Sequence, residues 1–163
     1  MSAEFPTRVS FSEAGQILDR VAMGCQLGVE RIALSQCLGR VLADDIVSSV
    51  ALPGFDNAAM DGFAIRTADT AAEGASLLIV AEQFAGASLE LQVDAGQCVR
   101  ITTGAPMPGG ADAVIMKEHV VLDGDRITIG TPVRVGQHVR RAGEDVAAGD
   151  NVLGRGQVLS PAA

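Results

Sequence analysis

Leu52-Pro53-Gly54-Phe55-Asp56-Asn57-Ala58-Ala59-Met60-Asp61-Gly62-Phe63-Ala64-Ile65-Arg66 crowds turn formers, carboxylates and an amide in front of an alternating apolar run. Pro53 and Gly54 interrupt any regular element before it. Asp61-Gly62 predicts a tight turn, because Gly tolerates positive φ and Asp accepts hydrogen bonds from local backbone N–H groups. Phe63 and Ile65 alternate with Ala64 and Arg66, the period of a strand with one buried face. Asp61 is therefore expected at a strand entrance, held rigidly yet exposed. The same residues also suit a plain loop whose Asp and Asn satisfy only the backbone.

The rest of the composition agrees with a β-rich chain. Nineteen glycines, six prolines and five aromatic residues, all Phe, predict short strands joined by tight turns, not a helical bundle. At 163 residues and 48% apolar content, the chain can bury a sizeable core. No apolar run reaches the roughly 18 residues that read as a membrane span, and Met-Ser-Ala-Glu-Phe-Pro lacks a basic region followed by an apolar one, so a cytoplasmic protein is expected. A net charge of −8 opposes non-specific binding to nucleic acid or to an anionic membrane. Cys25, Cys37 and Cys98 are too far apart for a C-x-x-C ligand pair and are expected to be free, buried thiols. His119 and His138 are likewise isolated.

Along the chain, Ser10 and Glu13 have the spacing of a capping box, and Phe11, Ala14, Ile17, Leu18, Val21 and Ala22 make one helical stripe, which predicts a helix over 11–23 with Gly24 as its stop. Strands are predicted over 29–34, 77–81, 89–93, 98–103, 113–116, 119–122 and 126–129. Ser35 to Gly39 reads as a single helical turn, and residues 40–47 as an extended run beside a neighbour. Asp123-Gly124 is a type I′ hairpin signal. Glycine turns at Gly96, Gly136, Gly149 and Gly156 each precede an extended pair.

Two further segments combine polar groups with backbone control. In Arg100-Ile-Thr-Thr-Gly-Ala-Pro-Met-Pro-Gly-Gly-Ala-Asp112 a strand runs into a rigid loop that exposes Thr hydroxyls, without the lysine and helix of a phosphate-binding P-loop. In Val139-Arg-Arg-Ala-Gly-Glu-Asp145 the adjacent arginines point to opposite faces, so one of them faces any given pocket. Structural loops and surface ion pairs are the plainer reading of both. Asp61, Thr103 and Asp145 together place two carboxylates and a hydroxyl at strand ends, a set suited to a hard cation or an oxyanion. No nucleophile–base pair is visible, which disfavours covalent catalysis.

These three segments, with Leu38-Gly-Arg-Val-Leu-Ala-Asp-Asp45, resemble the N-terminal region of the molybdopterin molybdenumtransferases, the family of bacterial MoeA and the gephyrin E domain. The resemblance covers nearly the whole chain. Ala58 stands where the family often has Ser and Phe63 where Tyr is frequent, so those hydroxyls have no role here.

The resemblance implies a mainly β fold of two lobes. Residues 1–50 and 139–163 are expected to form a discontinuous, elongated β-rich lobe carrying the helix at 11–23, with 51–138 as an inserted β-barrel-like lobe. It also implies insertion of molybdate into adenylylated molybdopterin with Mg²⁺, releasing AMP, by a homodimer. Asp61 and Asp145 are the implied catalytic residues and Mg²⁺ ligands, and Thr103 and Arg140 the implied substrate contacts. The family continues past Ser160-Pro161 into a pterin-binding domain for which 163 residues leave no room, so the chain alone is expected to be inactive. The alternative is a non-catalytic dimerisation or scaffold module of the same fold.

Overall fold

The computed structural model describes residues 8–162 except 26, 73 and 87–89. The fold is mainly β, with one α-helix among the described residues, and divides into two compact units. The smaller comprises Met1–Ala43 and Gly156–Ala163, the larger Asp44–Arg155. The lobe boundaries expected at 50/51 and 138/139 both fall inside the larger unit.

In the smaller unit, α1 (Phe11–Gly24) starts as its sequence predicts. The Glu13 N–H donates to Ser10 Oγ, while the Glu13 carboxylate receives the Ser10 N–H at 2.8 Å. Gly24 closes the helix from within, and the Cys25 N–H returns to the Ala22 carbonyl. None of the helical residues is buried, and Phe11 is 98% exposed. Residues 29–34 do not form the predicted strand. Among the described residues no strand pairs with Val-Glu-Arg-Ile-Ala-Leu to complete a ladder, and a 3₁₀ turn, Leu34–Gln36, begins at its end. Val41 instead meets Val158 in an antiparallel bridge.

The larger unit is built on a six-stranded half-barrel sheet of β3 (Gly62–Ile65), β4 (Ala75–Gln83), β5 (Gln97–Ile101), β6 (Ala113–Met116), β7 (Val120–Asp123) and β8 (Arg126–Ile129). The order is β6-β3-β5-β4-β8-β7, with only the β4–β5 pair parallel. Two short antiparallel pairs accompany it: β1 (Ile46–Val47) with β10 (Asn151–Leu153), and β2 (Asn57–Ala58) with β9 (Val139–Arg140). The predicted strand over 89–93 starts on a residue outside the described set, and within it Gln92 makes an isolated bridge to Gly109. The β7–β8 register pairs Asp123 with Arg126, so Gly124-Asp125 forms the hairpin loop, with positive φ at Gly124 alone, not the predicted type I′ turn at Asp123-Gly124.

β3 buries both faces, contrary to the one-faced pattern in its sequence. Phe63 and Ile65 pack with Leu77, Cys98, Ile115, Ile127 and Ile129 on one side. Ala64 packs with Ala58, Val99, Ala105 and Val114 on the other. A small alanine hides this second face from periodicity, because β2 and the loop after β5 come close enough to cover it.

The three cysteines are free, but only Cys98 is buried; Cys25 is exposed. Burial pushes the Cys98 thiol up to about 12, so almost none of it is the reactive thiolate at neutral pH. Brief alkylation with iodoacetamide at pH 8, mapped by mass spectrometry, is expected to label Cys25 and to spare Cys98 until denaturant is added. Equal labelling of both in the native protein would contradict the burial.

Candidate functional site

The three segments read from the sequence meet at β2. Asn57 pairs with Arg140 and Ala58 with Val139. On the other side, the Ala58 N–H donates to the Ala105 carbonyl at 3.0 Å, and the Gly104 N–H donates to the Ala58 carbonyl at 2.8 Å. One two-residue strand therefore holds the 100–112 loop and the 139–145 segment together.

Asp61 owes its surroundings to sheet register. Gly62 is opposite Ile101 on β5 and Met116 on β6, which brings the next residues of those strands alongside Asp61. Asp61 Oδ1 accepts both the Thr103 N–H and the Thr103 hydroxyl, each at 2.8 Å. Its Oδ2 lies 4.0 Å from Lys117 Nζ. The Thr103 hydrogen bonds, and secondarily the Lys117 charge, hold the Asp61 carboxyl below its ordinary value. Gly62 does not supply the positive φ expected of it; it is an ordinary strand residue whose missing side chain lets β6 approach.

Arg140 and Asp145 form a separate pair. Arg140 Nη2 donates to both oxygens of Asp145, at 2.5 and 2.6 Å, and Arg140 Nε lies 3.8 Å from Glu144. These contacts, Asp145 first, raise the Arg140 pKa above its ordinary value. The Asp145 N–H donates to the Leu52 carbonyl at 2.9 Å. As strand geometry requires, Arg141 turns elsewhere, to Asp56, at 2.6 Å.

A cleft of about 550 Å³ opens beside Asp61 on the face of the sheet that carries Phe63. Phe63, Ile79, Val120 and Leu122 supply its apolar walls, and Asp61, Lys117, Glu82, Arg100 and Asp125 its charged groups. Arg100 is 3.3 Å from Glu82. Neither Arg140 nor Asp145 is part of this lining.

Lys117, Arg100 and Glu82 carry no sequence signal that marks them for this cleft. Lys117 follows an apolar strand like any surface lysine, and only the β3–β6 register brings it to Asp61. Asp56, one of the carboxylates of the opening stretch, binds the 139–145 segment. Asp112, at the end of the second segment, serves the fold by accepting the Thr67 N–H and hydroxyl at 2.7 and 2.8 Å.

The donor set does not fit the Mg²⁺ chelate implied for Asp61 and Asp145. Both Asp145 oxygens are occupied by a guanidinium, and Asp61 offers one oxygen that faces an ammonium. Among the described residues no group of three or more His, Cys, Asp or Glu side chains could hold a metal ion, whereas Mg²⁺ requires near-octahedral oxygen coordination.

Residues 9–163 match a family described as the MoeA N-terminal region (domain I and II). The chain is similar to the molybdopterin molybdenumtransferase of Synechococcus elongatus, 37% identical over 160 residues, which are 95% of this chain and 40% of that protein. It is also similar to the molybdopterin molybdenumtransferase of Haemophilus influenzae, 41% identical over 133 residues, 81% of this chain and 33% of that one. A crystal structure of a molybdopterin biosynthesis moeA protein from Pyrococcus horikoshii OT3 superposes with a TM-score of 0.77 at 41% identity, covering 82% of this chain and 36% of that chain. The chain thus spans 40% or less of the length of each of these relatives. No helix among the described residues is long and apolar enough to cross a membrane.

Proposed function

Since the chain belongs to the MoeA N-terminal-region family (domain I and II), we propose that it forms the part of a cytoplasmic molybdopterin molybdenumtransferase that presents Asp61 and Arg140 to substrate. In the proposed reaction molybdate joins the dithiolene of adenylylated molybdopterin, the phosphoanhydride is cleaved and AMP leaves. The observation that carries this reading is the meeting of all three polar segments at β2, with a carboxylate fixed by Thr103 at the edge of a cleft. Plain surface loops would have no reason to share one two-residue strand.

The residues divide the work by what their atoms have free. Thr103 spends its hydroxyl proton and its N–H on Asp61 Oδ1, so its part is to aim the carboxylate. Asp61 Oδ2 is left to orient an attacking water or a substrate N–H or O–H. Arg140, held by Asp145, supplies a fixed cation for a phosphate or molybdate oxygen. Mg²⁺, where the reaction needs it, is not assigned to Asp61 and Asp145. The pterin-binding wall is proposed to come from a further domain or chain, in a homodimer.

The test is release of AMP, followed by chromatography, from adenylylated molybdopterin, molybdate and Mg²⁺. The 163-residue chain alone is expected to give none, and addition of a pterin-binding chain is expected to restore it. Turnover by the chain alone would overturn the divided site. Failure of restoration would favour the second reading, a non-catalytic dimerisation or scaffold module, for which the one specific observation is that α1 buries none of its residues.

A further inference from the structure

We propose that Asp56 is a positioning residue that sets the 139–145 segment, and with it Arg140 and Asp145, against the 52–61 segment; its effect on turnover rests on the function proposed above. Its carboxylate holds two points at once. Oδ1 accepts the Ala142 N–H at 2.8 Å, and Oδ2 accepts Arg141 Nη1 at 2.6 Å. Main-chain pairing flanks this tie: Asn57 pairs with Arg140 on one side, and on the other the Gly143 N–H donates to the Pro53 carbonyl and the Asp145 N–H to the Leu52 carbonyl, both at 2.9 Å.

The chemistry of the segment explains why the tie is needed. Arg140 and Arg141 are adjacent; the Arg140 guanidinium pairs with Asp145 and lies 3.8 Å from Glu144, whose carboxylate accepts the Arg141 main-chain N–H at 2.9 Å. Asp56 gives Arg141 a carboxylate of its own, and Asp145 pairs with Arg140. Without Asp56 the Arg141 guanidinium and the Ala142 N–H both lose the charged oxygens they donate to, and the turn that carries Asp145 loses its side-chain tie to the 52–61 segment. The hydrogen bond from Ala142, and secondarily that from Arg141, hold the Asp56 carboxyl below its ordinary value, as expected of an anion with both oxygens engaged.

Two readouts test this. In the 163-residue chain, Asp56→Ala is expected to speed amide hydrogen exchange of Ala142, Gly143 and Asp145 at least tenfold and to leave β3 and β5 unchanged. Asp56→Asn, which keeps an acceptor for the Ala142 N–H, is expected to fall between. With a pterin-binding chain supplied, Asp56→Ala is expected to raise KM for adenylylated molybdopterin about tenfold with kcat changed less than threefold, and Asp56→Asn to recover part of that loss. Unchanged exchange in Asp56→Ala overturns the inference whatever the activity. Faster exchange with kcat lowered and KM unchanged also overturns it, since that pattern marks a lost fraction of folded protein, not a displaced Arg140. If the parent protein shows no turnover, the proposed function fails while the exchange result still decides the tie.

Discussion

Gly62→Ala is expected to cost at least about 3 kcal/mol of stability, the upper end of what overpacking costs when the obstacle can move. Here it cannot move easily. A Cβ on Gly62 would stand 1.9 Å from the Ile115 carbonyl oxygen and 2.9 Å from Met116 Cα, all main chain of the adjoining strand β6. Relief requires β6 to separate from β3, which breaks the Gly62–Met116 register and opens the core around Phe63 and Ile115. Urea unfolding followed by circular dichroism measures the loss. Gly130→Ala is the control: nothing lies within 4 Å of its added Cβ, and a change within about 0.5 kcal/mol is expected. A Gly62→Ala midpoint equal to that of the control would mean that β3 and β6 are not so close.

Replacement of Asp61 separates its two uses. Asp61→Asn retains a carbonyl oxygen for the Thr103 N–H and hydroxyl but removes the charge that faces Lys117. Its unfolding curve is expected to match the parent, while AMP release in the presence of a pterin-binding chain falls at least about a hundredfold, the size of effect expected for a lost electrostatic or general-base group. Asp61→Ala removes both uses, and the Thr103 amide is then expected to exchange faster as well. Full activity in Asp61→Asn would reduce Asp61 to a loop fastener. Acid should imitate the asparagine variant, since a protonated carboxyl keeps a carbonyl oxygen for Thr103 but no charge. The Asp61 pKa is lower in the folded protein than its ordinary 3.8, so the stabilisation from its bonds to Thr103 is complete above that value. It is lost as pH falls through the lowered one. A Thr103 amide that exchanged in acid as fast as it does in Asp61→Ala would contradict the assignment.

Much of this was legible in residue order. The Ser10–Glu13 box announces α1, and the glycines at 96, 136, 149 and 156 all take the positive φ that their turns require. The strands at 113–116 and 126–129 occur where alternation and composition put them. Misreadings arose where a local signal depends on a distant partner. The 29–34 run has strand-like residues but no ladder to join. Ala64 looks like the exposed step of an alternation and is buried, because β2 and the 102–105 loop cover it. Asp56, Lys117 and Arg100 carry no local mark of their partners, which lie in distant segments of the chain.

The opening stretch shows where this division lies. From the sequence alone it was determined that a turn-rich segment ends in a strand headed by an exposed Asp61, and that three such segments mark the family. Covalent order and side-chain type suffice for that. Only the tertiary structure decided that Gly62 serves close approach and not a turn, that Thr103 and Lys117 flank Asp61, and that Asp145 pairs with Arg140. The reason is register. Pairing Gly62 with both Ile101 and Met116 selects which distant residues become neighbours of Asp61, and a slip of one residue would exchange every side chain for one on the opposite face.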